Sequence, residues 1–155
     1  MSEIVRSAIV RLRGALGRHR ARRSVRLPLT VSLSGRNLPA YSRQDCCAGH
    51  TRDLSARGLS FVLPSVHLGN RHIFGNGDAA LRIRLELPGG AVDLTASPVR
   101  YDLLEGREAE RAYLVGALIV DINAADRARY LEFLRARRRA TTAGAQIKTT
   151  DPASA

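Results

Sequence analysis

The sequence predicts a mainly β domain: a small antiparallel barrel, followed by a C-terminal α-helix and preceded by a short amphipathic helix. Three observations carry this expectation. Apolar and polar residues alternate in short runs, as with Leu81, Ile83, Leu85 and Leu87 against Arg82, Arg84 and Glu86, which is the period of a half-buried strand. Turn signals such as Pro88-Gly89-Gly90 separate these runs, at the spacing of a small all-β fold. Helical spacing appears at the two ends, over residues 2–18 and after Asn123.

Taken in order, residues 1–19 form the first segment. Ile4, Val5, Ala8, Ile9, Leu12, Ala15 and Leu16 make an apolar stripe, with Arg6 and Arg13 off it; this is a basic amphipathic helix ending near Gly17. Packing on its own domain or on a second copy is the favoured role for that face, with a membrane surface as the sharper alternative. Residues 18–26 are too charged for a core and are expected to be an unanchored arm that orders on meeting a ligand. The barrel domain spans residues 20–139. Leu27, Leu29, Val31 and Leu33 alternate with Pro28, Thr30, Ser32 and Ser34 as its first strand. Gly35 through Gly49 read as a polar insertion, residues 58–63 as a strand, and residues 64–78 as a loop. Residues 81–87 and a run from Val92 to Tyr101 make a hairpin, 102–111 a loop, and Tyr113 to Asp121 the last strand. Asn123 is a good N-cap and Asp126 suits the first turn of a helix running to about Arg138. Leu131, Leu134 and Ala128 are its expected inward face. Residues 140–155 are small and polar, and a disordered tail is expected.

At 155 residues the chain has room for one domain with a real core. No apolar run approaches the length of a membrane span, and Arg11, Arg13 and Arg18 interrupt any signal-peptide pattern. The expected location is therefore the cytoplasm. The net charge of +11 is uneven. Residues 1–26 hold eight arginines against one acid and residues 127–139 six against one, whereas residues 27–126 hold ten against eleven. Basic ends of this kind suit an anionic partner. Cys46 and Cys47 are adjacent, which disfavours a disulfide between them. With His50 they match no standard zinc spacing, so neither metal nor cofactor is expected. His19, His67 and His72 read as loop or surface residues.

Two motifs remain: Arg22-x-x-x-Arg26, and Asp53-x-Ser55-x-x-Gly58 just ahead of the apolar run Leu59–Leu63. Guanine presents two acceptors on one edge, which an arginine fork matches, and two N–H donors on another, which a carboxylate accepts. Phosphates call for further arginines, and a glycine permits close backbone approach. Taken singly, Asp-x-Ser is equally a local turn and the arginines a solvated arm. The order and spacing of the two motifs, however, resemble those of the PilZ family of bacterial cyclic di-GMP receptors. Arg26-Leu27-Pro28-Leu29, Leu85-Glu86-Leu87-Pro88-Gly89-Gly90 and Tyr113-Leu114-Val115-Gly116 resemble further parts of its strand plan, so the likeness covers about residues 20–138.

That resemblance implies a six-stranded barrel with a helix after it, and a receptor or adaptor instead of an enzyme. It implies cyclic di-GMP held by Arg22 and Arg26 from the arm and by Asp53, Ser55 and Gly58 from the barrel, with Arg23 a further phosphate contact. Ordering of the arm would then signal to an unidentified protein partner, with a homodimer and membrane-surface contact through residues 2–18 left open. No Ser-His-Asp order, paired-carboxylate site or phosphate-cradling Gly-rich loop argues for catalysis. The alternatives are a PilZ-like protein-contact adaptor without nucleotide binding, and a basic barrel that binds nucleic acid. Against the latter, aromatic residues make up only 5% of the chain, with no Trp and no row of rings along one strand.

Overall fold

The computed structural model describes residues 23–34, 46–74, 80–105 and 111–147. The expected N-terminal helix lies outside the described residues. Within them the strands are β1 (Arg23–Ser24), β2 (Pro28–Ser34), β3 (Cys46–Leu54), β4 (Gly58–Leu63), β5 (His67–Leu68), β6 (Arg71–His72), β7 (Ala80–Leu87), β8 (Gly90–Glu105) and β9 (Arg111–Ile122). One helix, α1 (Ala124–Ile147), follows.

Strands β3, β2, β7, β8, β9 and β4 are neighbours in that order, and pairing of β4 with β3 closes them into a six-stranded antiparallel barrel. Closure removes the exposed sheet edges that would invite aggregation. β1 adds to β3 beyond the end of β2. The period-2 pattern explains the inside: Leu81, Ile83, Leu85 and Leu87 of β7 are buried while Arg82, Arg84 and Glu86 face out. Val31, Phe61, Ile83, Val92 and Val115 are fully buried with them. Each such side chain contributes about 1.5–3 kcal/mol through burial. The tight turn between β7 and β8 needs Gly90, whose φ of 132° disfavours any side chain.

Several boundaries differ from the sequence expectation. β3 begins at Cys46, inside the supposed polar insertion, because its pairing to β2 and β4 overrides weak local propensity. Cys46 and Cys47 are free thiols, and Cys47 packs against the core. β8 and β9 extend their ladder to Glu105↔Arg111, so much of the expected 102–111 loop is strand. The expected loop 64–78 contains the small β5–β6 hairpin, which buries Val66, Leu68 and Ile73 over one end of the barrel.

The opposite end is closed by α1. Asn123 caps it, its Oδ1 accepting from the Asp126 amide at 2.9 Å while its Nδ2 donates to Asp126 Oδ2 at 2.8 Å. Asp126 Oδ2 also accepts from the Asp93 amide at 3.1 Å, joining the first turn to β8. These hydrogen bonds, the largest influence being that of the Asp93 amide, hold the Asp126 carboxyl below its ordinary pKa. The inward face is Tyr130, Phe133 and Leu134, with Tyr130 fully buried. Ala128 is exposed and Leu131 only half-buried, which corrects the expected face by a rotation of about one residue. The helix also runs nine residues past Arg138, to Ile147. Residues 140–147 are therefore helical and not part of a tail; 148–155 lie outside the described residues. Alanine favours the continuation, and the Thr141 and Thr142 hydroxyls satisfy themselves on the carbonyls of Arg137 and Arg138, each at 3.0 Å.

Tyr130 does more than fill space. Its hydroxyl donates to the Ser55 carbonyl at 2.6 Å, and burial pushes the phenol pKa well above its ordinary value. Tyr130→Phe leaves that carbonyl without its partner and is expected to cost about 1–2 kcal/mol. Urea unfolding checks this as a lower midpoint at unchanged slope.

Candidate functional site at the junction of arm and barrel

The arm meets the Asp-x-Ser-x-x-Gly segment through backbone pairing. Ser24 lies opposite Asp53 and Arg23 opposite Leu54 in the β1–β3 ladder. The chain then breaks pairing over Val25, Arg26 and Leu27 before Pro28 opens β2 opposite His50. Pro28 lacks an N–H, which suits the first position of a strand.

Thr51 spans that break. Its hydroxyl donates to the Val25 carbonyl and accepts from the Leu27 amide at 2.9 Å, while its own amide donates to the Leu27 carbonyl at 2.9 Å. The Val25 amide donates to the Arg52 carbonyl at 2.9 Å. Val25 and Leu27 are half-buried against the core. The expectation of an unanchored arm over 18–26 is therefore corrected for residues 23–26, which backbone pairing, Thr51 and apolar contact anchor to the barrel.

A bulge lies beside this anchor. Thr51 pairs with Phe61 and Asp53 with Ser60, so Arg52 is the extra residue on β3. A one-residue insertion reverses the in–out alternation. Thr51 and Leu54 are both buried as a result, and Asp53 between them is half-exposed. Asp53 Oδ2 accepts from Ser60 Oγ at 3.2 Å.

Ser55 and Gly58 have local structural duties. The Ser55 hydroxyl accepts from the Gly58 amide at 3.1 Å and donates to the Gly58 carbonyl at 3.0 Å, tying the β3–β4 connection. A Cβ on Gly58 would stand 2.7 Å from the Ala117 carbonyl oxygen of β9, so the close approach of those strands requires glycine. Arg26 is exposed and lines an open groove of about 320 Å³ with Ser24, Val25, His50, Thr51 and Arg52, over Val62 and Leu104. Asp53, Ser55 and Gly58 are not among its lining residues. Arg23 enters the site through its backbone position, and Arg22 lies outside the described residues.

Sequence reasoning misses His50, Thr51 and Arg52, which fall in an unassigned stretch between the supposed insertion and the Asp53 motif, and Tyr130, whose contact with Ser55 only the tertiary fold creates. Arg137 of α1 belongs to the same region. Its Nη2 donates to the Ser24 carbonyl at 3.1 Å, so α1 reaches both motif-bearing segments.

This arrangement can be compared with known folds. The structure superposes on the PilZ domain of YcgR from Escherichia coli, solved with c-di-GMP, with a TM-score of 0.56 at 12% identity over 81% of this chain and 94% of that one. The barrel is PilZ-like. K. pneumonia MrkH gives a TM-score of 0.53 at 17% identity, covering 76% of this chain and 49% of that chain. The Bacillus subtilis inhibitor of motility MotI/DgrA gives 0.50 at 17% identity, with 76% and 48% coverage. This chain thus spans about half the length of the latter two. No family model matches the sequence, and no curated protein matches it significantly.

The Thr51 hydroxyl makes a sharp prediction for the PilZ-like barrel. Thr51→Val keeps the shape but leaves the Val25 carbonyl and Leu27 amide without that partner, at an expected cost of about 1–3 kcal/mol. Thr51→Ser retains the hydroxyl and is expected to recover more than half of the loss. Chemical denaturation of the three proteins measures both.

Proposed function

We propose that this protein is a cyclic di-GMP receptor that signals to a protein partner through its arginine arm. The observation that carries the reading is the β1–β3 ladder, which sets Arg23–Ser24 against Asp53–Leu54 and so joins the two motifs at one end of the barrel. A PilZ-like fold supports the same ligand, since the YcgR PilZ domain was solved with c-di-GMP.

In this reading the Arg26 guanidinium takes a guanine edge or a phosphate with its fork, and Asp53 accepts from guanine N–H donors. Ser55 and Gly58 act chiefly by shaping the turn that presents Asp53. Arg22 and Arg23 close on the ligand from the arm, and because residues 23–26 are already anchored, the segment that orders on binding ends at about Arg22. That change is what a protein partner would detect. The role is that of a receptor, with no reaction assigned to it.

Calorimetric titration with cyclic di-GMP tests the proposal, beside GMP and the Arg26→Ala variant. Micromolar or tighter binding is expected for cyclic di-GMP and not for GMP. Arg26→Ala is expected to weaken it by about tenfold to a hundredfold, the value of one charge-assisted bidentate contact. Absence of binding at high ligand concentration overturns the nucleotide reading and leaves a PilZ-like adaptor acting through protein contacts.

A further inference from the structure

The groove beside the arm contains more cationic chemistry than the two motifs account for. Arg26, His50 and Arg52 all line it, and among the described residues no carboxylate does. Among the described residues neither Arg26 nor Arg52 has an ion-pair partner. The arm contributes Arg26, β3 contributes His50 and Arg52, and β4 and β8 contribute the apolar Val62 and Leu104. The groove's volume of about 320 Å³ is at the small end of ligand sites. It suits part of a nucleotide.

We propose that His50 and Arg52 extend the ligand site onto the outer face of β3, where they take a phosphate of the bound nucleotide, His50 as the imidazolium. This rests on the cyclic di-GMP reading for the identity of the nucleotide. Alternation about the inward Thr51 sets His50 and Arg52 on the same outer face of β3, and the bulge leaves Arg52 without a cross-strand partner in β4. Thr51, buried between His50 and Arg52, fixes the arm that carries Arg26 over the same groove.

Without an anion, two influences disfavour the charged imidazole. Burial lowers the His50 pKa, and the nearby Arg26 guanidinium lowers it further. A phosphate between these groups reverses the second influence and favours the charged form. Binding then takes up a proton whenever the pH lies between the depressed pKa of the free protein and the higher pKa of the complex. Affinity rises as pH falls through that window and levels off below it, where His50 is charged in both states.

The test follows the His50 imidazole by NMR in the full chain, assigned with His50→Gln, as pH is varied with and without cyclic di-GMP. Sulfate against chloride at equal ionic strength serves as a phosphate-like probe without a base. Calorimetry at about pH 6 and pH 8 on wild type, His50→Gln and Arg52→Gln accompanies it. The inference expects the His50 pKa to rise with either probe and wild-type affinity for cyclic di-GMP to be roughly three- to tenfold higher at the lower pH. His50→Gln should abolish that difference while still binding at the higher pH, and Arg52→Gln should weaken binding about five- to twentyfold at both. An unmoved His50 pKa with both probes overturns the inference, as does a pH dependence that persists in His50→Gln. Failure of the wild type to bind cyclic di-GMP sinks the proposed function instead, and the sulfate response of His50 then decides the anion groove alone.

Discussion

The buried hydroxyl of Thr51 occupies the one break in an otherwise continuous edge, where the chain passes from β1 to β2 along β3. Three arm residues there lack regular ladder partners, and buried backbone groups left unpaired are costly. One side chain accepts from the Leu27 amide and donates to the Val25 carbonyl, so the break costs little and Arg26 is presented from a fixed backbone. The bulge at Arg52 is the counterpart on β3. Together they allow the arm to lie beside Asp53 while Leu54 still enters the core.

The helix makes this junction a shared one. Tyr130 holds the Ser55 carbonyl from inside the barrel end, and Arg137 holds the Ser24 carbonyl from two turns further along α1. The two bonds differ in kind. The first is part-buried and tied to the core through the Tyr130 ring; the second is exposed, and exposed contacts of this sort contribute little to stability.

Much of this architecture was legible in the sequence. The strict alternation of Leu81 to Leu87, the Pro88-Gly89-Gly90 turn and the Asn123 cap each state a local geometry that the fold keeps. The resemblance supplied the six-stranded closure, which no local pattern states. What escaped was what tertiary pairing decides. Cys46 to His50 carries no alternation strong enough to announce a strand, and a single bulge cannot be seen without its partner strand. The inward face of α1 was misplaced because Tyr130 is amphipathic, its ring belonging to the core and its hydroxyl to a distant carbonyl. Of the candidate site, the spacing of Asp53, Ser55 and Gly58 was visible, but the turn duties of Ser55 and Gly58 were not. Thr51 gave no signal at all, since a threonine in an unassigned segment has no pattern to break.

The central claim is that the arm from Arg23 to Leu27 is part of the barrel before any ligand arrives. Residue-resolved amide hydrogen exchange of the ligand-free protein tests it most directly. The account predicts that the Val25 and Leu27 amides, bonded to the Arg52 carbonyl and the Thr51 hydroxyl, exchange far more slowly than unstructured amides and lose protection selectively in Thr51→Val. Exchange of both amides at unprotected rates in the wild type would contradict it and return the arm to the solvent.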